Sequence, residues 1–365
     1  MRKLILILLL IPWFVTPAYA DFPYEQAAEE FGTGAMEQGL TEGERSVTGS
    51  LQLDGRYDVD GALHRLVKAL IENVKSEIRR NIRFSAELIV LVFLCALVVI
   101  GTEGHKAGQF AEICCVCTAA GILVGSFDSI VSQTTEAMYR LSDYSKAALP
   151  VVFTAAAASG AVSSAGVRFA AASFAMDVLM SLSQSLIIPC IFAYLAIVLA
   201  NSLFPNQLLA AVGKFIKWTA TTLMTGMTLA FTAYIQITGL VSSSVDAAAV
   251  KTTRTVLSGV LPVVGGILSD ASAAVLSAAG VVRSCAGAFG LIVVCVICAG
   301  PFAMLSVKTL LFKMVSRIAD SVQIDRLSGL LSGVGNAIAM LLGLLGSCGI
   351  MLFIALTAGM KAVSG

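Results

Sequence analysis

Ala286-Gly287-Ala288-Phe289-Gly290-Leu291-Ile292-Val293-Val294-Cys295-Val296-Ile297-Cys298-Ala299-Gly300-Pro301-Phe302-Ala303-Met304-Leu305-Ser306-Val307 carries no charged side chain, and as one helix it is long enough to cross the hydrocarbon core of a bilayer. A helix on the surface of a soluble core keeps one polar face. This one is apolar all round, so its neighbours are lipid or other apolar helices. The same texture recurs at about 84–101, 108–130, 147–166, 185–204, 218–240, 256–279 and 334–360. The pattern predicts an all-α polytopic membrane protein of about eight transmembrane helices. Asp177, Ser181, Ser183, Gln184 and Ser185 interrupt 167–204, which reads as one tilted helix or two short ones and widens the range to seven to nine.

Composition agrees. Of 365 residues, 57% are hydrophobic and 13% charged, against about 25% charged in a soluble globule, and mean hydropathy is +0.88. A net charge of +1 supplies no field for a phosphate backbone, so nucleic acid is not an expected partner. Charge is unevenly placed: residues 21–83 hold 12 acids and 8 bases, and the remaining 27 charges are spread over the other 302 positions. A short polar head therefore precedes a long membrane body.

Arg2-Lys3, an apolar run over 4–15 and Ala18-Tyr19-Ala20 form the three-part pattern of a secretory signal, 1–20, which places the head outside the cytoplasm. Residues 21–59 are acidic, rich in Gly and Thr and without apolar period, and read as a flexible extracytoplasmic segment. Over 60–83, Leu63, Leu66, Val67, Leu70, Ile71, Val74 and Ile78 recur at spacings of three and four, an amphipathic helix capped by Asp60. Its stripe needs a cover, either the membrane and the protein's own helices or a partner subunit. Leu63, Leu66, Leu70 and Val74 are the partner-facing candidates. The polytopic membrane domain is 84–365. Eight crossings put Lys251, Arg254, Lys308, Lys313, Arg317 and Arg326 on the cytoplasmic side, as charge bias prefers.

A weak duplication runs through the body at an offset of 112 residues. Leu149-Pro150-Val151-Val152 returns as Leu261-Pro262-Val263-Val264, 164–168 resembles 277–283, and Pro189 returns as Pro301. The copies lie at about 125–204 and 239–315, and three intervening crossings would invert one against the other, an arrangement that builds many transporters. Pro262, Gly265 and Gly266 stand beside Asp270, where broken helices would line an interior or small residues would allow tight crossings. Ionisable groups in apolar runs are costly and point to function; Asp128, Asp177, Asp246, Asp270 and Arg283, with Gln184 and Gln236, are the conduit or packing candidates.

Cys114, Cys115 and Cys117, and the pair Cys295 and Cys298, sit in apolar runs without histidines beside them; they read as small apolar fillers, and no metal or cofactor is expected. No phosphate-cradling Gly-Lys-Ser loop, H-E-x-x-H helix or nucleophile elbow occurs, so an enzyme is not expected.

Phe231-Thr232-Ala233-Tyr234-Ile235-Gln236-Ile237-Thr238-Gly239, Ser242-Ser243-Ser244-Val245-Asp246-Ala247, Lys251-Thr252 and Leu261-Pro262-Val263-Val264-Gly265-Gly266 to Ser269-Asp270-Ala271 resemble the stage III sporulation protein AE family of endospore-forming bacteria. The resemblance implies a multi-pass protein of the mother-cell membrane around the forespore. It also implies partners from the same sporulation operon, including an ATPase and ring-forming single-span subunits, with a forespore-side ring protein. The expected role is that of a non-enzymatic subunit of a secretion-like channel complex that sustains forespore development. The alternative reading is a self-contained secondary transporter built on the repeat.

Overall fold

The computed structural model describes residues 33–41, 44–45, 59–101, 106–260 and 265–360; the signal peptide and most of the acidic segment lie outside them. The elements are α1 (Gly34–Gln38), α2 (Val59–Gly101), α3 (Lys106–Ala158), α4 (Val162–Leu182), a π-helical turn (Ser183–Ile187), α5 (Ile188–Leu203), α6 (Gln207–Val260), α7 (Gly265–Ser321) and α8 (Asp325–Met360). Among the described residues, five helical stretches are long and apolar enough to cross a membrane: Val67–Val99, Phe110–Ala158, Val162–Leu203, Leu276–Ser321 and Asp325–Met360.

Helices continue through places where the sequence predicts loops. The expected connector 131–146 is the middle of α3, whose 53 residues extend about 80 Å against a hydrocarbon core of about 30 Å. Gln133, Glu136 and Arg140 suggest a loop by composition, yet their spacings of three and four make them one stripe on a helix. Asp143 and Lys146 pair at 3.0 Å one turn apart, which is helical spacing again. The predicted connector after 307 is likewise helical, and only Val322 to Ile324 turn the chain. The 60–83 helix and the 84–101 span are one helix, α2.

Where helices do end, the cause is local. At the end of α3, Gly160 adopts φ 100 while Ala161 N–H donates to Ala156 O at 3.1 Å and Gly160 N–H to Ala157 O at 3.0 Å. This is a Schellman cap, which needs a left-handed residue. Helix α7 ends the same way, Ile324 N–H to Ala319 O and Gln323 N–H to Asp320 O, both 3.1 Å, but the left-handed residue is Gln323 at φ 59. After α5, Pro205 interrupts the ladder and Asn206 Oδ1 accepts from Leu208 N–H at 2.9 Å to start α6. The π turn stands directly before Pro189; widening the helix there relieves the clash between a proline ring and the carbonyl four residues back.

Successive long helices alternate in direction. Gln184 donates to Tyr139, Phe127 meets Phe192 at 5.7 Å and Phe153 meets Phe169 at 6.2 Å, so α3 and the α4–α5 rod are antiparallel. Helix α8 is the centre of the bundle, touching α3, α4, α5, α6 and α7. Its seam with α7 is close because glycines leave room. A Cβ on Gly290 would come 3.1 Å from Leu356, on Gly335 3.3 Å from Phe312, and on Gly349 3.2 Å from Cys298 Sγ. At the turn, Ser316 Oγ donates to Ser328 O at 3.0 Å and Ser328 Oγ to Ser316 O at 3.1 Å. Arg326 then ties three helix ends together: it pairs with Glu112 at 3.1 Å and donates to Leu203 O at 3.0 Å.

The alternation corrects the orientation of the repeat. Helices α3 and α6 run one way, α4 and α7 the other, so the segments 125–204 and 239–315 share an orientation. The expected inversion arose from splitting α3 into two crossings, which made the number of intervening spans odd.

Replacing Gly333 by Ala should lower thermal stability by about 1–3 kcal/mol, because the new Cβ would lie 2.2 Å from Val198 Cγ1, a stiff branched neighbour. Gly329→Ala, which meets nothing within 4 Å, should be neutral or gain about 0.5–1 kcal/mol. Equal melting curves in detergent for the two variants would disprove the α5–α8 contact. Gln323→Gly should stabilise the α7–α8 turn by about 1 kcal/mol, the cost of a left-handed non-glycine residue; a lower melting temperature would contradict the cap.

Candidate functional site

A polar groove runs between α2, α3 and α7. On α2, Asn73, Ser76, Glu77, Arg80 and Asn81 line it, and their spacing puts them on one helical face. Glu77 and Asn81 are only 5% and 7% exposed, whereas Ile71, Ile78 and Ile82 are 59%, 47% and 60% exposed. Two polar residues of this helix, Glu77 and Asn81, thus face the protein, while Ile71, Ile78 and Ile82 face outward, as suits a lipid or partner contact. Asn81 Nδ2 donates to Glu77 O at 2.8 Å and to Glu77 Oε2 at 2.9 Å, and Arg80 closes an ion pair with Glu77.

Helix α3 contributes Ser126, Gln133, Glu136 and Arg140, and α7 contributes Gly300, Pro301, Met304 and Lys308. Pro301 has no N–H, so the carbonyl of Ile297, which also lines the groove, lacks its helical donor. The groove comprises cavities of about 500 Å³ and 270 Å³ that share Glu77, Arg80, Gln133 and Met304. Phe302 stands against Gly346, near the middle of α8, so the groove lies midway along the central hairpin and not at its end.

The polar head reaches into this groove. Met36 on α1 is fully buried, with its Cε 3.4 Å from where a Cβ on Gly290 would be, and Gly39 lies against the Tyr144 ring. Further along, Glu44 accepts from Thr41 N–H at 2.7 Å and pairs with Arg140 at 2.5 Å. Burial pushes the Glu44 carboxyl up, but the Thr41 N–H and the hydrogen bond and charge of Arg140 outweigh it and hold the carboxyl below its ordinary range.

None of the described residues singled out from sequence lines the groove. Arg283 is buried and donates to Ser159 Oγ at 3.0 Å, tying α7 to the cap of α3. Arg168, its counterpart in the repeat, is buried and donates to Ala358 O at 2.7 Å in the last turn of α8. Both arginines anchor one end of the bundle. Asp128, Asp177 and Gln236 are exposed, and Gln184 is in the π turn. Val74 is half-buried on α2. Leu63, Leu66 and Leu70 on α2, Asp246 on α6, and Gly265, Gly266 and Asp270 on α7 lie in helices whose side chains there are outside the described residues, as is Pro262 altogether. Of the cysteines, Cys114 and Cys117 are exposed, and Cys295 and Cys298 partly buried.

The groove residues went unnoticed because each seemed ordinary for its segment: Glu77 and Arg80 as the wet face of a surface helix, Glu136 and Arg140 as a loop, Lys308 as the start of a connector. The available signal was the three-and-four spacing of polar residues on each of these segments.

Long helices apolar enough to cross a membrane, packed around a charged interior, define a membrane-type helical bundle. The family model for stage III sporulation protein AE matches residues 53–362, and the chain belongs to that family. It is 19% identical over 294 residues to the stage III sporulation protein AE of Bacillus subtilis (strain 168), covering 80% of this chain and 74% of that protein. No solved structure matches the chain. Family membership gives it a role in sporulation.

The Glu44–Arg140 clamp predicts an acid-sensitive head. Because the folded carboxyl titrates below its ordinary value of about 4.3, the clamp's contribution is complete above that value and is lost as pH falls through the lower folded value. Protection factors of the Thr41 and Met36 amides, corrected for the intrinsic slowing of exchange in acid, should fall on acidification. In Glu44→Gln they should be low already at neutral pH; pH-independent protection in the wild type would refute the clamp.

Proposed function

We propose that this chain is a multi-pass subunit of a membrane channel or secretion-like complex that links mother cell and forespore and is required for forespore development. The observation that carries this reading is the polar groove under α2, where Glu77 and Asn81 turn inward while Ile71, Ile78 and Ile82 face outward. In a protein of a sporulation family, apolar residues face outward and a charged, protein-lined volume lies between helices at mid-bundle. In lipid, such polar volume is tolerated only where protein or water satisfies it, and a water-filled groove is the raw material of a conduit. The mother-cell membrane around the forespore is the site of action. The partners are the other membrane proteins of the sporulation operon, including its ATPase and ring-forming single-span subunits, and the forespore-side ring protein. No residue in the groove pairs a nucleophile with a base, which favours a passive or structural task over catalysis.

The outward stripe gives the complex a surface to grip, and the groove gives it a polar path. Two substitutions separate these roles. Gln133→Trp should fill the groove, leave protein level and co-purification of sister subunits unchanged, and sharply lower spore yield. Ile78→Glu, on the exposed stripe, should reduce membrane accumulation or the recovery of sister subunits. Normal sporulation with the groove filled would remove the conduit. Solute flux by the isolated chain in vesicles, with no sister subunit retained on purification, would replace the complex with a self-contained transporter.

A further inference from the structure

We infer that the cavity between Lys308 and Arg80 is an oxyanion site that takes a phosphate group, carried by an anionic lipid headgroup or present as free phosphate. Both cations line the 270 Å³ cavity between α2, α3 and α7. Lys308 is half-buried and lies near enough to Arg80 for the two positive charges to repel. Glu77, the carboxylate in this cavity, is already committed to Arg80 and Asn81. Among the described residues, Lys308 Nζ has no hydrogen-bond or ion-pair partner. Glu136 lines the larger cavity and not this one, and Glu44 there is taken by Arg140. Half-buried Lys308 is thus left without a counter-charge in its own cavity, a position that an anion from outside would stabilise.

The shape of the donor set says which counter-charge. Gln133 Nε2 uses one hydrogen on Ser129 Oγ at 3.0 Å and keeps a second; Lys308 keeps three, and Arg80 keeps those not spent on Glu77. Donors from three helices around one volume suit a tetrahedral oxyanion, whose oxygens point in separate directions. A planar carboxylate would satisfy two of them. At about 30 Å³ per water, 270 Å³ holds a phosphate group with several waters. The site needs only the unmatched charge of Lys308 within its own cavity, whether or not solute passes along the groove.

The test uses the full chain in phosphatidylcholine nanodiscs, with thermal unfolding as the readout. Two probes are added separately: phosphatidylglycerol in the disc, and inorganic phosphate in solution against chloride at equal ionic strength. Stabilisation by phosphatidylglycerol alone assigns the phosphate to a lipid headgroup, and stabilisation by inorganic phosphate assigns it to a soluble anion. In either case Lys308→Gln should abolish the shift and Lys308→Arg retain it, which separates the site from the general salting effect of phosphate. No shift with either probe, or a shift unchanged in Lys308→Gln, overturns the site. Should Lys308→Gln fail to accumulate, Gln133→Ala, at an exposed position, serves instead: its midpoint for the effective probe should rise several-fold, and an unchanged midpoint overturns the site equally.

Discussion

The close seam between α7 and α8 is the contact on which the other helices depend. Both are long and apolar, and in a membrane nothing like water drives two such surfaces together; what remains is dispersion, which falls off within a fraction of an ångström of ideal contact. Gly290, Gly335 and Gly349 let the backbones approach until Leu356, Phe312 and Cys298 fill the gaps. The serine exchange at Ser316 and Ser328 fixes the register from the turn upward. Once that hairpin stands, α8 offers its other sides to α3, α4, α5 and α6, and α7 offers Pro301, Met304 and Lys308 to α2 and α3. The groove is therefore a consequence of the register of one helical pair: a slip of one turn would carry Lys308 about 5.4 Å along the axis and out of level with Arg80.

The same seam accounts for the arginine contacts at the two ends of α8 and for the place of the groove. Arg326 sits at one end of the hairpin and collects Glu112 and the free carbonyl at the end of α5, where the helix dipole favours a cation. Arg168 and Arg283 sit at the other end and take a carbonyl and a hydroxyl. Between them α8 presents no charged side chain at all from Leu327 to Met360, so the polar interior is forced to the far side of α7. It is walled there by α2, which turns Glu77 and Asn81 inward.

Sequence reading reached the class of fold and the family because both rest on long-range composition. A stretch such as 286–307 can only be an apolar helix, and the glycine- and proline-rich motifs from Phe231 to Ala271 are distinctive in order and spacing. It missed the continuity of α3 and the groove for one common reason. A polar residue in an apolar protein was treated as a loop or a span end, when the test is whether its polar neighbours lie three and four positions away. Gln133, Glu136 and Arg140 pass that test, and reading them as a stripe joins two predicted spans into α3 and changes the parity on which the expected inversion rested. Gln323 could not have been foreseen: a left-handed glutamine at a helix end leaves no mark in composition, whereas Gly160 at the equivalent cap does.

The head also changes its meaning once its faces are sorted. From sequence, the stripe of α2 is the feature that needs a cover, from the membrane and the protein's own helices or from a partner subunit. In the fold, Glu77 and Asn81 are among the most buried polar groups of the protein, and Glu44 supplies the carboxylate that pairs with Arg140. Remove the chain from α1 through α2, and Arg140 loses the carboxylate of Glu44 while Lys308 and Glu136 lose a wall. Arg140 keeps 36% of its side chain exposed, so water screens the charge left behind and the loss is on the order of 1 kcal/mol. Helix α2 is thus not an appendage to a self-sufficient bundle. Helices α3 and α7 meet with a charge-lined gap between them, and α2, which precedes both in the chain, closes that gap into a site.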